Sequence, residues 1–361
     1  MMKEVHSKKL HVLNKDPRLK AIEIFGESLV SAPDTECWKK HHRVLSMVFS
    51  SGNLEYMCQV AVKTVDQLTR TKWEPCMNQN EKGTMMLEAH NDFTNVTLDV
   101  LAKSVFGTSF CIFQDSENSN PDLVLKGRQL KQAIEKIFTH AFSFRMFLAW
   151  CPLFEKAALH FTGVQKCMDY CSQVLDEFIR ERKNMIERGE EISEQDLLSL
   201  MVKANIENNE LTTDHIKSNG LLFLVAELTK RPEIQERAQQ EVDQILKNGE
   251  LEPSFQLYDS FVFCNAIIHE TLRCHPPVGS VSKICFKNTR LGNFDIPKGT
   301  IILSLITQAN KNEQVWQHLN NTFHPDRFLN ADELNKRHSD YSMIPFSMGL
   351  MKMQWIQICL V

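Results

Sequence analysis

The chain has 361 residues, 43% hydrophobic and 24% charged, with a formal net charge of −4. That composition suits a globular protein with one large core or two smaller ones, and it excludes a disordered chain. The mildly acidic balance, with no Lys/Arg stripe to neutralise phosphates, excludes nucleic acid as the main partner.

The chain opens on "MMKEVHSKKLHVLNKDPRLK", polar and basic without the apolar core of a secretory signal. From about residue 36 to 250 apolar residues recur at helical spacing. Helices are predicted over 54–68, 87–107 and 164–189, with Gly107 and Gly189 placed as C-caps. The run "LLFLVA" at 221–226 is the longest type of clean apolar stretch, far short of the ~18 residues that span a bilayer. A further helix is predicted in "RPEIQERAQQEVDQILKNG", with Pro232 in its first turn and Ile234, Ala238, Val242 and Ile245 on one face. Asn248 and Gly249 are placed as its close. After 275 the texture turns to β-branched runs: "VGSVSKICF" and "TRLGNFDIPKGTIILSLI" predict short strands, with "IPKGT" a tight turn between two of them.

The expected fold class is therefore mainly α with a small β region, in a single domain over 1–349 followed by a divergent tail at 350–361. Eleven cysteines, an odd number without CxxC spacing, predict reduced thiols facing the cytosol. Cys167 and Cys171 lack the second pair that a zinc site requires, so no metal is expected there.

Glu270 and Arg273 in "HETLRCHPPV" lie three apart on a helix that stops before Pro276, so a carboxylate and a guanidinium share one face. Such a pair is common; Glu177 with Arg180 repeats it on what reads as a solvated helix face. The order of the motifs beyond Arg273 is specific. "FHPDRF" places Arg327 between aromatic residues, and "PFSMG" comes next at 345–349.

This series, an ExxR helix, PP, strands around "IPKGT", an aromatic-flanked arginine and then PFSxG, resembles the C-terminal half of a cytochrome P450. "CWKKHHRVLSMVFS" at 37–50 is similar to that family's helix ahead of the haem, and the likeness runs from about 26 to 349. "IRERKNMIERGEEISEQDLLSLMVKA" and "ELTKRPEI" resemble the cholesterol 24-hydroxylase branch.

The resemblance implies haem b and a buried charge triad of Glu270, Arg273 and Arg327 behind it, structural in role. A bidentate carboxylate would offset the desolvation of a buried guanidinium. It also implies that Trp38 faces a propionate, with His42 in the family's arginine position and Arg43 displaced by one, while Lys283 takes the place of a later propionate-binding arginine. Both departures keep a positive charge but lose the guanidinium fork. Phe346 and Gly349 would belong to the thiolate loop. That loop's register puts Met351 at the arginine, Met353 at the cysteine and Trp355 at the closing glycine, with Cys359 six residues late. Met353 reads either as a thioether ligand, without a thiolate's electron push, or as an unrelated tail residue.

The family's central helix is also cut. "LLFLVA" runs straight into "ELTKRPEI", an expected loss of roughly fourteen residues, or about 20 Å of helix. A membrane anchor, hinge and first β region would precede the family-like stretch. The expected parent function is a haem-dependent monooxygenase acting on an apolar sterol, fatty acid or foreign compound. Its electrons would come from NADPH-cytochrome P450 reductase at the cytosolic face of the endoplasmic reticulum, or in the cytoplasm for a chain without the anchor. Lacking a thiolate in register, this chain is expected to be inactive, with no catalytic residue and no metal ligand of its own. The alternatives are a non-catalytic helical pseudoenzyme or interaction protein, and an active enzyme with another iron ligand.

Overall fold

The computed structural model describes residues 4–5, 12–16, 39, 51–79, 88–109, 121–137, 140, 152–188, 231–247, 253–276, 278–316, 321–330, 337 and 340–344. They divide into two units: Pro17–Thr212, and Met1–Asp16 together with Thr213–Val361.

The Pro17–Thr212 unit is helical throughout its described residues. Its elements are α1 (Ser51–Leu68), a π-type turn (Thr69–Trp73), α2 (Glu74–Asn78), α3 (Ala89–Phe106), α4 (Pro121–Lys136), α5 (Pro152–Phe161) and α6 (Val164–Glu187). The core forms because α6 carries Val164, Met168, Cys171, Val174 and Phe178 at helical spacing, all buried against Leu130, Ala133 and Ile137 of the α4 region and Leu159 of α5. A second cluster joins Val60 and Leu68 of α1 to Val96 and Val100 of α3. Between these helices Asp92 is fully buried and paired with Lys72, and the Trp73 indole donates to it at 3.0 Å. Gly107 ends α3 in the left-handed region at φ 62°, where a Cβ would be strained, and serves as the predicted cap. Gly189 lies outside the described residues. Glu177 does sit on an exposed face, where Lys126 of α4 pairs with it and holds its carboxyl below the usual range.

The other unit holds the β region. Its order is β1 (Leu13–Lys15), α7 (Pro232–Ile245), a 3-10 turn (Phe255–Ser260), α8 (Val262–Cys274), β2 (Ser280–Cys285), β3 (Thr289–Leu291), β4 (Phe294–Ile296), β5 (Ile301–Leu305), α9 (Ile306–Ala309), α10 (Glu313–Trp316) and a 3-10 turn (Pro325–Phe328). The four strands beyond residue 275 match the runs predicted for them. Strand β2 sits between β1 and β5, antiparallel to both, with Leu13 opposite Cys285 and Ser280 opposite Leu305. The strands β3 and β4 form a hairpin with Gly292 at φ 57° in its turn. The "IPKGT" turn closes through the Thr300 N–H to the Pro297 carbonyl at 3.2 Å, with Gly299 at φ 86° in the position where only glycine is unstrained.

Two expectations change. Strand β1, ahead of residue 26 where no strand was predicted, is part of the sheet. Helix α7 ends at Ile245, ahead of the predicted close, and Lys247 after it is left-handed at φ 49°; Asn248 and Gly249 lie outside the described residues. The face of α7 is as predicted: Ile234 and Ala238 pack on buried Phe263, Ile267 and Phe323.

Candidate functional site

Helix α8 is anchored at both ends, and this fixes the side chains it carries. At its start the Glu241 carboxylate of α7 accepts the Phe263 and Cys264 N–H groups at 2.7 and 2.8 Å, so one helix caps its neighbour. Burial, with the Glu241 hydrogen bond and charge added, pushes the Cys264 thiol up to about 12. At its end the helix stops at Cys274, two residues before Pro276, as the chemistry of a pre-proline residue requires.

One turn from that end Glu270 and Arg273 are both fully buried. Arg273 Nε donates to Glu270 Oε2 at 2.7 Å and Arg273 Nη2 to Oε1 at 2.8 Å, a bidentate pair. The same carboxylate accepts the His324 N–H at 2.8 Å and Arg327 Nε at 3.2 Å. Arg273 spends its remaining donors on backbone carbonyls, Nη1 on Asn310 at 3.1 Å and Nη2 on Thr322 at 3.0 Å, where Arg327 Nη2 also arrives at 3.3 Å. Burial alone would lower the Arg273 pKa, but the hydrogen bonds and charge of Glu270 outweigh it and hold the guanidinium above its ordinary value. The structure thus brings the three predicted residues into one cluster. Its chemistry is that of a clamp: the carboxylate meets two guanidiniums and a backbone N–H, and the guanidiniums reach backbone carbonyls.

Sequence reasoning missed the surroundings of the clamp. Trp316, buried in α10, lies beneath the guanidinium carbons of Arg273, Arg327 and Arg337 at 5.2, 5.6 and 5.1 Å from its ring centroid. Phe328 meets Trp316 edge-on at 5.9 Å and His269 at 5.8 Å. Asn310 and Thr322 contribute backbone oxygens, which leave no mark in a sequence.

Lys283 is the one residue expected near a propionate that is described: it is 4% exposed, its ammonium donates to the Val5 carbonyl at 3.0 Å, and burial pushes its pKa down to about 8. The cause is the strand register, which puts Lys283 opposite Lys15 and on the same side of β2 as buried Cys285. Trp38, His42, Arg43, Phe346, Gly349 and Met353 lie outside the described residues, as do Cys359 and the 225–229 junction.

A mainly α protein with a small antiparallel sheet and a buried carboxylate–arginine clamp joining a helix to a later loop defines a scaffold class, one in which the ion cluster holds a loop in place. The cytochrome P450 family model matches residues 1–350, and the chain belongs to that family. Cytochrome P450 3A12 of Canis lupus familiaris is 24% identical over 349 residues, covering 90% of this chain and 65% of that protein. Cytochrome P450 734A1 of Arabidopsis thaliana is 25% identical, covering 92% and 63%. Secologanin synthase 1 of Catharanthus roseus is 26% identical, covering 86% and 60%. Animal and plant members match at nearly equal identity, so the likeness is to the family's shared framework. The chain spans less than two thirds of the length of these relatives.

Haem is the cofactor that the family implies. Of the residues expected to touch such a group only Lys283 is described, and its ammonium is bonded to the Val5 carbonyl, while the Cys274 sulfur lies 3.2 Å from Arg273 Nη2. Burial pushes Cys171 up to about 11 as it does Cys264 to about 12, so both thiols keep their protons. Among the described residues no group of three or more His, Cys, Asp and Glu could hold a metal ion, and no helix is long and apolar enough to cross a membrane.

Proposed function

We propose that this chain is a cytochrome P450 framework whose parent activity is haem-dependent insertion of oxygen into an apolar substrate, and that the chain itself is non-catalytic. The Glu270, Arg273 and Arg327 clamp carries the reading, because it builds the support for a loop while the loop's register offers Met353 in place of a thiolate. Haem b, if bound, would supply the activation of oxygen, a chemistry that depends on electron donation from a thiolate ligand. The role of this chain's own residues is narrower. Glu270 neutralises two buried guanidiniums, and those guanidiniums bind the carbonyls of Asn310 and Thr322 so that the chain beyond them starts from a fixed place. A thioether at Met353 would not replace the lost electron donation.

For the parent activity the substrate would be an apolar small molecule, the electron donor a P450 reductase, and the location the cytosolic face of the endoplasmic reticulum. One partial domain over 1–349, with an unrelated tail at 350–361, is the organisation that fits this reading.

The test is the absorbance of purified protein titrated with haem, reduced and exposed to carbon monoxide. The expected spectrum is that of imidazole-bound or unligated haem, with no turnover when reductase and NADPH are supplied. A red-shifted, thiolate-type Soret band would mean that Cys359 or another cysteine reaches the iron, and the non-catalytic reading would be lost.

A further inference from the structure

We infer that Asn310 is a positioning residue, the strap through which the buried clamp fixes the segment leading into the loop at Phe346. This deepens the reading of that loop as the cofactor loop and rests on it.

Asn310 follows α9 and is fully buried. Its backbone and its side chain serve different structures. The carbonyl accepts Arg273 Nη1 at 3.1 Å, which ties the residue to the clamp, and the N–H donates to the Ile306 carbonyl at 2.9 Å, which fixes its place at the end of α9. The side-chain Oδ1 accepts the Ile344 N–H at 3.3 Å. Ile344 stands two residues before Phe346.

The segment that Asn310 reaches is held N–H by N–H. Those of Ser342 and Met343 both donate to the Arg337 carbonyl, at 3.1 and 3.2 Å. The next, that of Ile344, has no such carbonyl and takes the Asn310 amide oxygen instead. Met343 and Ile344 are both fully buried, so an unmet N–H there could not turn to water. Ile344 also packs on Ile306, with Val278, Val281 and Tyr341 around it. Apolar packing sets the depth of the segment, while the bond from Asn310, added to the two at Arg337, fixes the rotation of its last described peptide.

The rest of the Asn310 amide marks the oxygen as the working half. Nδ2 is buried without a hydrogen bond, an unfavourable arrangement that an apolar side chain of similar size would avoid. Aspartate keeps the acceptor and removes that donor, which makes it the conservative replacement.

The test uses the full chain and hydrogen exchange resolved to the amides of Ser342, Met343 and Ile344. Asn310→Leu is expected to speed exchange at Ile344 by about tenfold over any change at Met343, while Asn310→Asp keeps the wild-type ratio. Ile267→Val, which trims a buried side chain elsewhere in the same unit, controls for a general loss of stability and should move all amides together. If Asn310→Leu does not fold, Asn310→Ser, whose hydroxyl is too short to reach, takes its place in the comparison. An unchanged Ile344 to Met343 ratio in the Leu or Ser variant, or an Asp variant as fast as either, overturns the inference. Haem titration separates the two readings: the Leu variant should need about tenfold more haem than wild type and the Asp variant about the same. Wild-type protein that shows the exchange pattern but never takes up haem would defeat the cofactor reading and leave Asn310 as the strap.

Discussion

Glu270 and Arg327 stand 57 residues apart in the chain, yet Arg327 Nε donates to Glu270 at 3.2 Å beside the bidentate Arg273. One carboxylate therefore offsets two guanidiniums and carries the helix end and the later loop together. Glu270→Gln keeps the shape and removes the charge, leaving Arg273 buried without the carboxylate that balances its desolvation. The expected cost is about 3–5 kcal/mol, read as a lower urea midpoint at constant slope. A loss under roughly 0.5 kcal/mol, the size expected of a surface change, would show that the cluster does not hold this unit together.

Lys283 is expected to be a liability at neutral pH. Its folded pKa, about 8, lies below the ordinary 10.5, so the unfolded chain holds the proton more tightly. Its contribution is intact above pH 10.5, fades as pH falls toward 8, and is fully lost below that. Lys283→Met removes the buried charge and should raise stability at pH 7 by roughly 1–3 kcal/mol. The gain should shrink as pH climbs from 8 to 10.5. A methionine variant less stable than wild type at pH 7 would mean that the bond to Val5 is worth more than the burial costs.

His269 gives the opposite end of the pH scale its own sensitivity. The ring is buried against Phe328, its Nδ1–H donates to the Asn265 carbonyl at 2.8 Å, and burial, only partly opposed by that bond, lowers its pKa from 6.5. The neutral ring is what the fold accommodates, so stability present above pH 6.5 is lost as pH falls through the depressed value. Melting temperatures measured from pH 7 to 5 should fall less steeply in His269→Gln than in wild type. Parallel curves for the two would remove His269 from the account.

Glu241 acts on the clamp from a distance, by capping the helix that carries it. Glu241→Ala should leave the Phe263 and Cys264 N–H groups without an acceptor at 2.7 and 2.8 Å and cost about 1–2 kcal/mol. Because the Glu241 hydrogen bond and charge also help raise the Cys264 thiol, this variant should react faster with a thiol reagent at pH 8. Unchanged reactivity alongside unchanged stability would show that the bond is incidental.

Local chemistry was legible in the sequence. Pro232 at the start of α7, the left-handed Gly107 and Gly299, and the three-residue spacing of Glu270 and Arg273 are properties of a residue and its near neighbours, so each could be read without knowing what lies elsewhere. The order of motifs after Glu270 was legible too, and it led to the family. Tertiary structure alone decided the rest. Strand β1 has three residues, too few to show a period of two, and exists because β2 some 270 residues later supplies its hydrogen bonds. That pairing turned Lys283 inward to Val5, although lysine by itself reads as exposed. Asn310 gained its place from a carbonyl that Arg273 reaches and an N–H that Ile344 presents. Backbone groups are the same in every residue, so which of them a side chain meets is set by folding the chain in three dimensions.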